Sequence, residues 1–362
     1  DEVKLPKGSK IDKQINTADR ERQNYTRIWD LCSLFLQGKQ HVRWDKNLSN
    51  YISQERTGGN RRSRVTVNLI LNMYRNLLAR YSVAYPSTTV MPSSPSNEDI
   101  TKAQACETFL KYYWHTADMP TVISGLLEWC LLNGTSAFHT FYDPSDKKIH
   151  TRAVSTYDLL FEPGASSVSE ARWVGVRQTV HKEDLIAAYP DKKELIEKSG
   201  RKPDASFKSL LRRSSGHTQT EPEDRVEIYE VYFSDRTMGI LLGSEWLFAD
   251  EWATPTSPIS VVHYTRIPGR IWGLGVIEPL VELQTMYNRG RSQVIENAEL
   301  MGNPKWLIPK SSGVAKDALR DSRPGEKVTY NANSGPPPTQ VSAAPLPGYI
   351  LDNIRQLSAE ML

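Results

Sequence analysis

An α+β fold is predicted by three features of the chain. Four stretches of helical period precede residue 133, period-two alternation dominates residues 137–266, and helical period returns after residue 273 around a proline-rich insert. Residues 1–15 are charged and are expected to fray. A helix predicted over 17–37 then places Tyr25, Ile28, Trp29, Cys32, Phe35 and Leu36 on one face and Arg20, Glu21, Arg27 and Asp30 on the other, ending at Gly38. Residues 40–50 show no clear period. Residues 55–64 read as a glycine and arginine loop carrying Arg56, Arg61, Arg62 and Arg64, and such a loop is more often solvated surface than a phosphate clamp.

A second helix over 65–82 carries Val67, Ile70, Leu71, Tyr74, Leu77, Leu78 and Tyr81 and is closed by Pro86, which marks it as core. Ser96-Asn97-Glu98-Asp99 has the cap-plus-acid pattern of a third helix, 97–116, with Ile100, Ala103, Cys106, Phe109, Leu110 and Tyr113 as its apolar face. Met119-Pro120 opens a fourth, 120–132, apolar almost all round and ended by Asn133-Gly134. From residue 137 the period shortens to two. Residues 137–142 and 148–153 read as a hairpin about Asp143-Pro144-Ser145-Asp146, and 173–180, 225–233, 240–248 and 259–266 read as further strands of a mostly antiparallel sheet. A short helix is expected over 182–189, and 198–224, rich in charge, serine and proline, is expected to be a mobile surface loop.

Between residues 276 and 300, Leu280, Leu283, Tyr287, Val294 and Ala298 form a helical seam whose one interruption is Arg291. Prolines at 304, 309, 324, 336, 337, 338 and 345 then break the period, leaving short strand-like runs at 305–308 and 327–330 in a small module. After Pro347-Gly348 the spacing of Ile350, Leu351, Ile354, Leu357 and Met361 is helical again, without a C-terminal stop signal.

Composition narrows the function. Lysine plus arginine at 45 against aspartate plus glutamate at 42 leaves +3, too balanced for a dedicated nucleic-acid binder. The cysteines, Cys32, Cys106 and Cys130, read as reduced, buried packing residues of a cytosolic chain. No apolar run reaches the ~20 residues of a membrane span, so no membrane association is expected. The chain lacks G-x-x-x-x-G-K-[ST], H-E-x-x-H, C-x-x-C and G-x-S-x-G. Gly273-Leu274-Gly275 is followed by no lysine and reads as a hinge rather than a phosphate loop. The histidines, His41, His115, His139, His150, His181, His217 and His263, are scattered without metal-ligand spacing. His139 near Asp143 reads as a surface hydrogen bond, and Glu296 with Glu299 as a solvated helix face. No catalytic residue, metal or cofactor is expected.

The order of features carries a resemblance. Leu36-Gln37-Gly38, Arg64-Val65-Thr66-Val67-Asn68 opening an apolar helix, and Leu132-Asn133-Gly134-Thr135-Ser136 before a hairpin resemble the start of tailed-bacteriophage portal proteins, the head-to-tail connector family. Gly273-Leu274-Gly275-Val276-Ile277-Glu278-Pro279-Leu280, followed by Leu283-Gln284, Asn288 and Pro304, is similar to that family's first stem helix entering its clip, and residues from Tyr349 to the return stem helix. The resemblance implies a wing over 1–272, stem helices over 273–300 and 347–362, and a clip over 301–346, with the chain stopping before the tunnel loop and crown. It also implies a homo-oligomeric ring of twelve at one capsid vertex of the virion, made in the host cytoplasm, through which double-stranded DNA passes weakly and without sequence preference. The implied partners are the terminase large subunit, a head–tail adaptor, and the major capsid and scaffolding proteins.

Within that frame, Lys305, Lys310, Lys316, Arg320, Arg323, Lys327 and Arg355 are the residues placed to face DNA or a partner. Leu280, Leu283, Tyr287, Arg291 and Val294 are the stem contacts between subunits, with Arg291 expected to pair with a carboxylate such as Glu282, Glu296 or Glu299. The reading set against this one is a metal-dependent DNA-processing nuclease whose carboxylates are dispersed in sequence and meet only in the fold.

Overall fold

The structure, a computed structural model, describes residues 5–47, 49–53, 63–83, 88–143, 147–198, 224–252, 257–302, 305–307, 314, 331, 333, 339–341 and 345–361. In chain order its elements are α1 (Gly8–Leu36), β1 (Val42–Asp45), β2 (Asn50–Ser53), α2 (Leu69–Val83), α3 (Asn97–Thr116), α4 (Met119–Asn133), β3 (Thr135–Asp143), β4 (Lys148–Val154), β5 (Leu159–Phe161) and β6 (Trp173–His181). They continue with α5 (Lys182–Ala188), α6 (Lys193–Lys198), β7 (Arg225–Phe233), β8 (Thr237–Leu242), β9 (Glu245–Glu251), β10 (Ile259–His263), α7 (Val281–Gly302), β11 (Lys305–Leu307), β12 (Thr339–Val341) and α8 (Gly348–Met361). The fold is α+β, as its sequence predicts. The chain forms two compact units, one from residues 1–37 with 70–281 and the other from residues 38–69 with 282–362.

The first unit is built on two antiparallel sheets where the sequence predicted one. β5-β6-β7-β8-β9 form a meander, and β10-β3-β4 form a separate sheet. Strand alternation explains how both faces of the meander are covered. Leu159, Phe161, Val174, Val176 and Tyr232 point into a cluster shared with Ala137, Val154 and Ile259 of the smaller sheet and with Trp29. Leu160, Trp173, Tyr229, Val231 and Phe233 point the other way, onto Ile11, Ile15 and Ala18 of α1. That second contact corrects the first predicted helix. α1 begins at Gly8 rather than 17, because Ile11, Ile15 and Ala18 extend its apolar face backward by steps of four and three and bury on the sheet. A second correction lies at 240–248, predicted as one strand. Gly243, with φ +62°, lets the chain reverse between β8 and β9, so the region is a hairpin.

Two polar clusters sit inside this unit. The Arg22 side chain donates to the carbonyls of Tyr157 at 2.8 Å and Leu159 at 2.9 Å and to Asp19 at 2.7 Å, satisfying main-chain acceptors at the start of β5. Burial and the nearby Arg177 pull it down to about 10. His139 is buried, not at the surface with Asp143 as its position in a hairpin had implied. Arg152 donates to its Nδ1 at 3.0 Å, which leaves the ring proton on Nε2 to be donated to the Tyr232 hydroxyl at 2.8 Å. Burial, and then Arg152, pull its pKa down to about 3, so the ring is neutral and structural. Cys32 and Cys130 are buried as expected, but Cys106 is exposed, because α3 turns most of its predicted apolar face to solvent.

One crossing in this unit leaves no room for side chains. Gly134 has φ +85° and ends α4; a Cβ there would stand 2.5 Å from the Gly273 carbonyl carbon. A Cβ on Gly275 would stand 2.5 Å from the Leu132 carbonyl oxygen. The main chains are stitched by Val276 N to Leu131 O at 2.9 Å, Tyr264 N to Gly134 O at 3.0 Å and Leu274 N to Thr265 O at 2.9 Å. The Gly273-Leu274-Gly275 segment, predicted as a hinge, is therefore a close-packed main-chain contact.

In the second unit, β1 and β2 pair antiparallel across residues that had shown no period, with Trp44 and Tyr51 opposed edge to face, ring centres 5.0 Å apart. The second predicted helix starts four residues later than its expected boundary. Residues 65–68 stay extended because α7 captures their main chain with side chains one turn apart. Val65 N donates to Ser292 Oγ at 3.0 Å, Val67 N to Asn288 Oδ1 at 3.1 Å and Leu69 N to Gln284 Oε1 at 3.1 Å. Gln284 Nε2 returns a bond to Val67 O at 2.8 Å, and Asn288 Nδ2 donates to Gln40 Oε1. The geometry works because two residues of extended chain advance about 6.6 Å and four of helix about 6.0 Å.

Three outcomes test these features. Gly134→Ala is expected to lose about 3 kcal/mol in urea unfolding, whereas Gly243→Ala, with open space around a positive φ, is expected to lose about 1 kcal/mol. Equal losses would show that the crossing is not the constraint. Asn288→Ala is expected to lose about 2 kcal/mol and to speed hydrogen exchange at the Val67 amide by about tenfold or more; unchanged protection there would remove the ladder from the account.

Asp30 accepts from the Tyr157 hydroxyl at 2.9 Å, and burial pushes its carboxyl up to about 6. The unfolded carboxyl, near 3.8, releases its proton first, so this group's contribution to stability is fullest below about pH 4, falls between about pH 4 and 6, and is constant above. Asp30→Asn keeps an acceptor for Tyr157 and removes that loss. Its gain over the parent is expected to be about 3 kcal/mol larger near pH 7.5 than near pH 4, and a pH-independent difference would overturn the assignment.

Candidate functional site

The residues singled out for contact between subunits, Leu280, Leu283, Tyr287, Arg291 and Val294, fall on α7 and the turn before it. α7 runs 22 residues, and its stripes divide the work. Gln284, Asn288 and Ser292 hold the extended main chain of 65–69. The adjoining stripe carries Leu283, Tyr287, Arg291 and Val294, of which Tyr287 is buried and the others are half-buried. Leu280 precedes the helix, half-buried in a 3₁₀ turn, Glu278–Leu280. The seam is thus not bare in a single chain.

α8 contributes to covering it. Ile354, Leu357 and Met361, at steps of three and four, are buried. Ile354 seats against Gly290 of α7, where a Cβ would stand 2.9 Å from Ile354 Cγ1. This glycine lets two helices approach, a role that a helix-period reading of the seam passes over. Arg291 remains the oddity of the seam: its Nε is buried and has no hydrogen-bond partner among the described residues.

The basic residues divide differently. Arg355 stands on α8 with 82% of its side chain exposed and lies 3.6 Å from Asp352, one turn before it, a pair of little energetic weight. Glu360, one turn after Gln356 on the same helix, accepts from it at 3.1 Å. Lys305 opens β11, paired through its main chain with Val341 of β12. Lys310, Lys316, Arg320, Arg323 and Lys327 lie outside the described residues.

Beside the ladder is a cleft of about 350 Å³ lined by amides and hydroxyls with Arg64, Arg289, His41 and Glu296. Among the described residues no three histidine, cysteine or carboxylate side chains are grouped to hold a metal ion. No helix of the described chain is long and apolar enough to cross a membrane.

Gln284 and Asn288 entered the sequence reading only as part of a resemblance, and Ser292 and Gln40 not at all. Their signal was present: three polar side chains at steps of four on a helix whose adjoining stripe is apolar mark a face that binds something polar.

Comparison with known families agrees with this geometry. Residues 140–360 match the family described as Phage SU10 portal protein, and residues 16–239 match the family described as Phage P22-like portal protein. No curated protein matches the chain. Each family match spans more than half of the 362 residues, and the paired motifs that resembled portal proteins, 64–68 with 284 and 288 and 132–136 with 273–275, are in hydrogen-bonded or close-packed contact. The chain belongs to the phage portal proteins.

Proposed function

We propose that this chain is the subunit of a ring at one vertex of the phage capsid, a channel through which double-stranded DNA enters during packaging and leaves on ejection. The observation that carries the proposal is the pair of portal families matched over residues 16–360 taken together. The physical chemistry is compatible with it. A channel that lets DNA run must not grip it, since each phosphate neutralised by lysine or arginine releases counterions and multiplies affinity, and a net charge of +3 over 362 residues meets that requirement. No residue is assigned a catalytic role; motion of the DNA is driven by a separate terminase.

In this reading the ring holds twelve copies joined by heterologous contacts, in which Leu280, Leu283, Tyr287, Arg291 and Val294 meet the neighbouring subunit and the Nε of Arg291 finds there the acceptor that it lacks among the described residues. Residues 1–272 act as wing, 273–300 and 347–362 as stem helices, and 301–346 as clip. The clip, with Lys305, Lys310, Lys316, Arg320, Arg323 and Lys327, is the collar on which the terminase large subunit docks first and the head–tail adaptor later. Major capsid and scaffolding proteins surround the ring.

Micrographs of the purified chain at micromolar concentration are expected to show closed rings with a central hole. A folded species that stays monomeric across salt and concentration would remove the ring. In the same preparation, replacing 311–326 by a short Gly/Ser linker in the complete protein is expected to leave rings intact while abolishing terminase-driven DNA uptake and adaptor binding; undiminished uptake and binding would place the docking surface elsewhere.

A further inference from the structure

Two loops of the first unit meet at a small cavity walled by hydrogen-bond donors. The first loop, residues 265–274, is closed at its base by Leu274 N donating to Thr265 O at 2.9 Å, and tightened by Arg270 N donating to Ile267 O at 3.1 Å. Between Ile267 and Arg270, Pro268 and Gly269, the latter with φ +76°, are the residues that a type II turn takes at its centre. Arg266 and Arg270 thus leave one closed loop. The second loop follows β5. Ser166 N donates to the Glu170 carboxylate at 3.3 Å and Glu170 N to Ser167 O at 3.2 Å, which fixes the two serines. Arg266, Arg270, Ser166, Ser167 and His263 all line the cavity, whose volume of about 10 Å³ admits one water-sized group.

His263 adds a donor, set by its neighbour. Thr135 is fully buried and its Oγ1 accepts from Gly273 N at 2.8 Å, so its own proton goes to His263 Nδ1 at 3.1 Å. The ring proton is then on Nε2. Burial, and after it the charge of Arg266, lowers the pKa of His263, so the ring is neutral. Arg266 is exposed and makes no ion pair among the described residues. The guanidinium of Arg270 lies over the Tyr25 ring at 4.6 Å, and its Nε and Nη2 are buried with no hydrogen-bond partner among the described residues. A carboxylate oxygen of Glu278 stands 3.6 Å from that Nη2, beyond hydrogen-bond range. Glu162, on the second loop, is already taken by Arg172 at 2.7 Å.

This donor set selects its ligand. Two guanidinium groups, an imidazole N–H and two hydroxyls call for an oxyanion, and because they come from two loops and a strand they surround a point instead of forming one planar fork. A tetrahedral group meets such an arrangement better than a planar carboxylate. Size adds a second condition: the cavity takes a single oxygen, so the rest of the anion stays at the mouth, where Arg266 and Ser166 are exposed. An ester on the outward side is therefore tolerated. We infer that this cavity binds a phosphate group, free or esterified, with one oxygen seated inside and the remainder held at the mouth by Arg266. The site lies within one chain and does not rest on the ring reading.

The complete protein is titrated with inorganic phosphate at fixed ionic strength and followed by calorimetry, with a dissociation constant on the order of 1 mM expected. Arg266→Gln is expected to weaken binding by about tenfold or more and Ser166→Ala by about fivefold, with unfolding transitions unchanged because both side chains are exposed. Arg225→Gln, which removes the same charge at the exposed start of β7, is expected to leave the affinity as it is. A parent that binds no phosphate well above that concentration overturns the site, as does an equal loss in Arg225→Gln and Arg266→Gln. A second arm identifies the source of the phosphate by adding a short duplex DNA as competitor. Displacement of bound phosphate assigns the site to the phosphodiester backbone, and its absence to a free phosphate or phosphomonoester; both keep the site, and neither bears on whether rings form.

Discussion

The main chain must pass itself at van der Waals distance where α4 ends, and much of the first unit follows from that constraint. Gly134 takes a left-handed turn that no branched or bulky residue would accept, and Gly273 and Gly275 remove the side chains that would block the approach. Once the two stretches are in contact, their donors and acceptors have no route to water and must pair with each other. The bonds from Val276, Tyr264 and Leu274 do this. They also fix where β3 starts and where β10 ends.

The legible parts of the fold were those governed by side-chain period. α2, α3 and α4 existed where their apolar spacing said, and the β3–β4 and β6–β7 pairs followed from alternation. The misread parts were set by contacts far away in sequence. The first turns of α1 looked like a charged tail because Ile11 and Ile15 are isolated among lysines and aspartates, and only the sheet face beneath them turns that sparse spacing into a buried stripe. The β1–β2 hairpin was hidden because its stabilising element is a cross-strand pair, Trp44 with Tyr51, that no one-dimensional window contains. Cys106 was assigned to a core on the strength of its spacing, which reports that a face is apolar and not what will cover it.

The candidate site was legible in a different way. Short motifs that looked weak one at a time proved to be two halves of contacts. The segment 64–68 needed the amides of Gln284 and Asn288, and Gly134 needed Gly273. A resemblance built from such pieces is stronger than the degeneracy of each piece implies, because a change in one half is tolerated only when the other still fits.

The ladder on α7 has one further property. Its three side chains shorten in order along the helix: the accepting oxygen is three bonds beyond Cβ in Gln284, two in Asn288 and one in Ser292, while the bond lengths to the main chain stay at 3.0–3.1 Å. Equal bonds from unequal arms require that the extended segment slope away from the helix axis, by roughly one C–C bond (~1.5 Å) for every ~6 Å travelled. The side chains therefore act as a set of graded spacers that write an inclination into the sequence. Beyond Leu69 a fourth arm would fall four residues before Gln284, at Leu280, where the helix has not yet begun and the side chain accepts no hydrogen bond. The strap must end there, and the chain, released from its spacers, coils into α2.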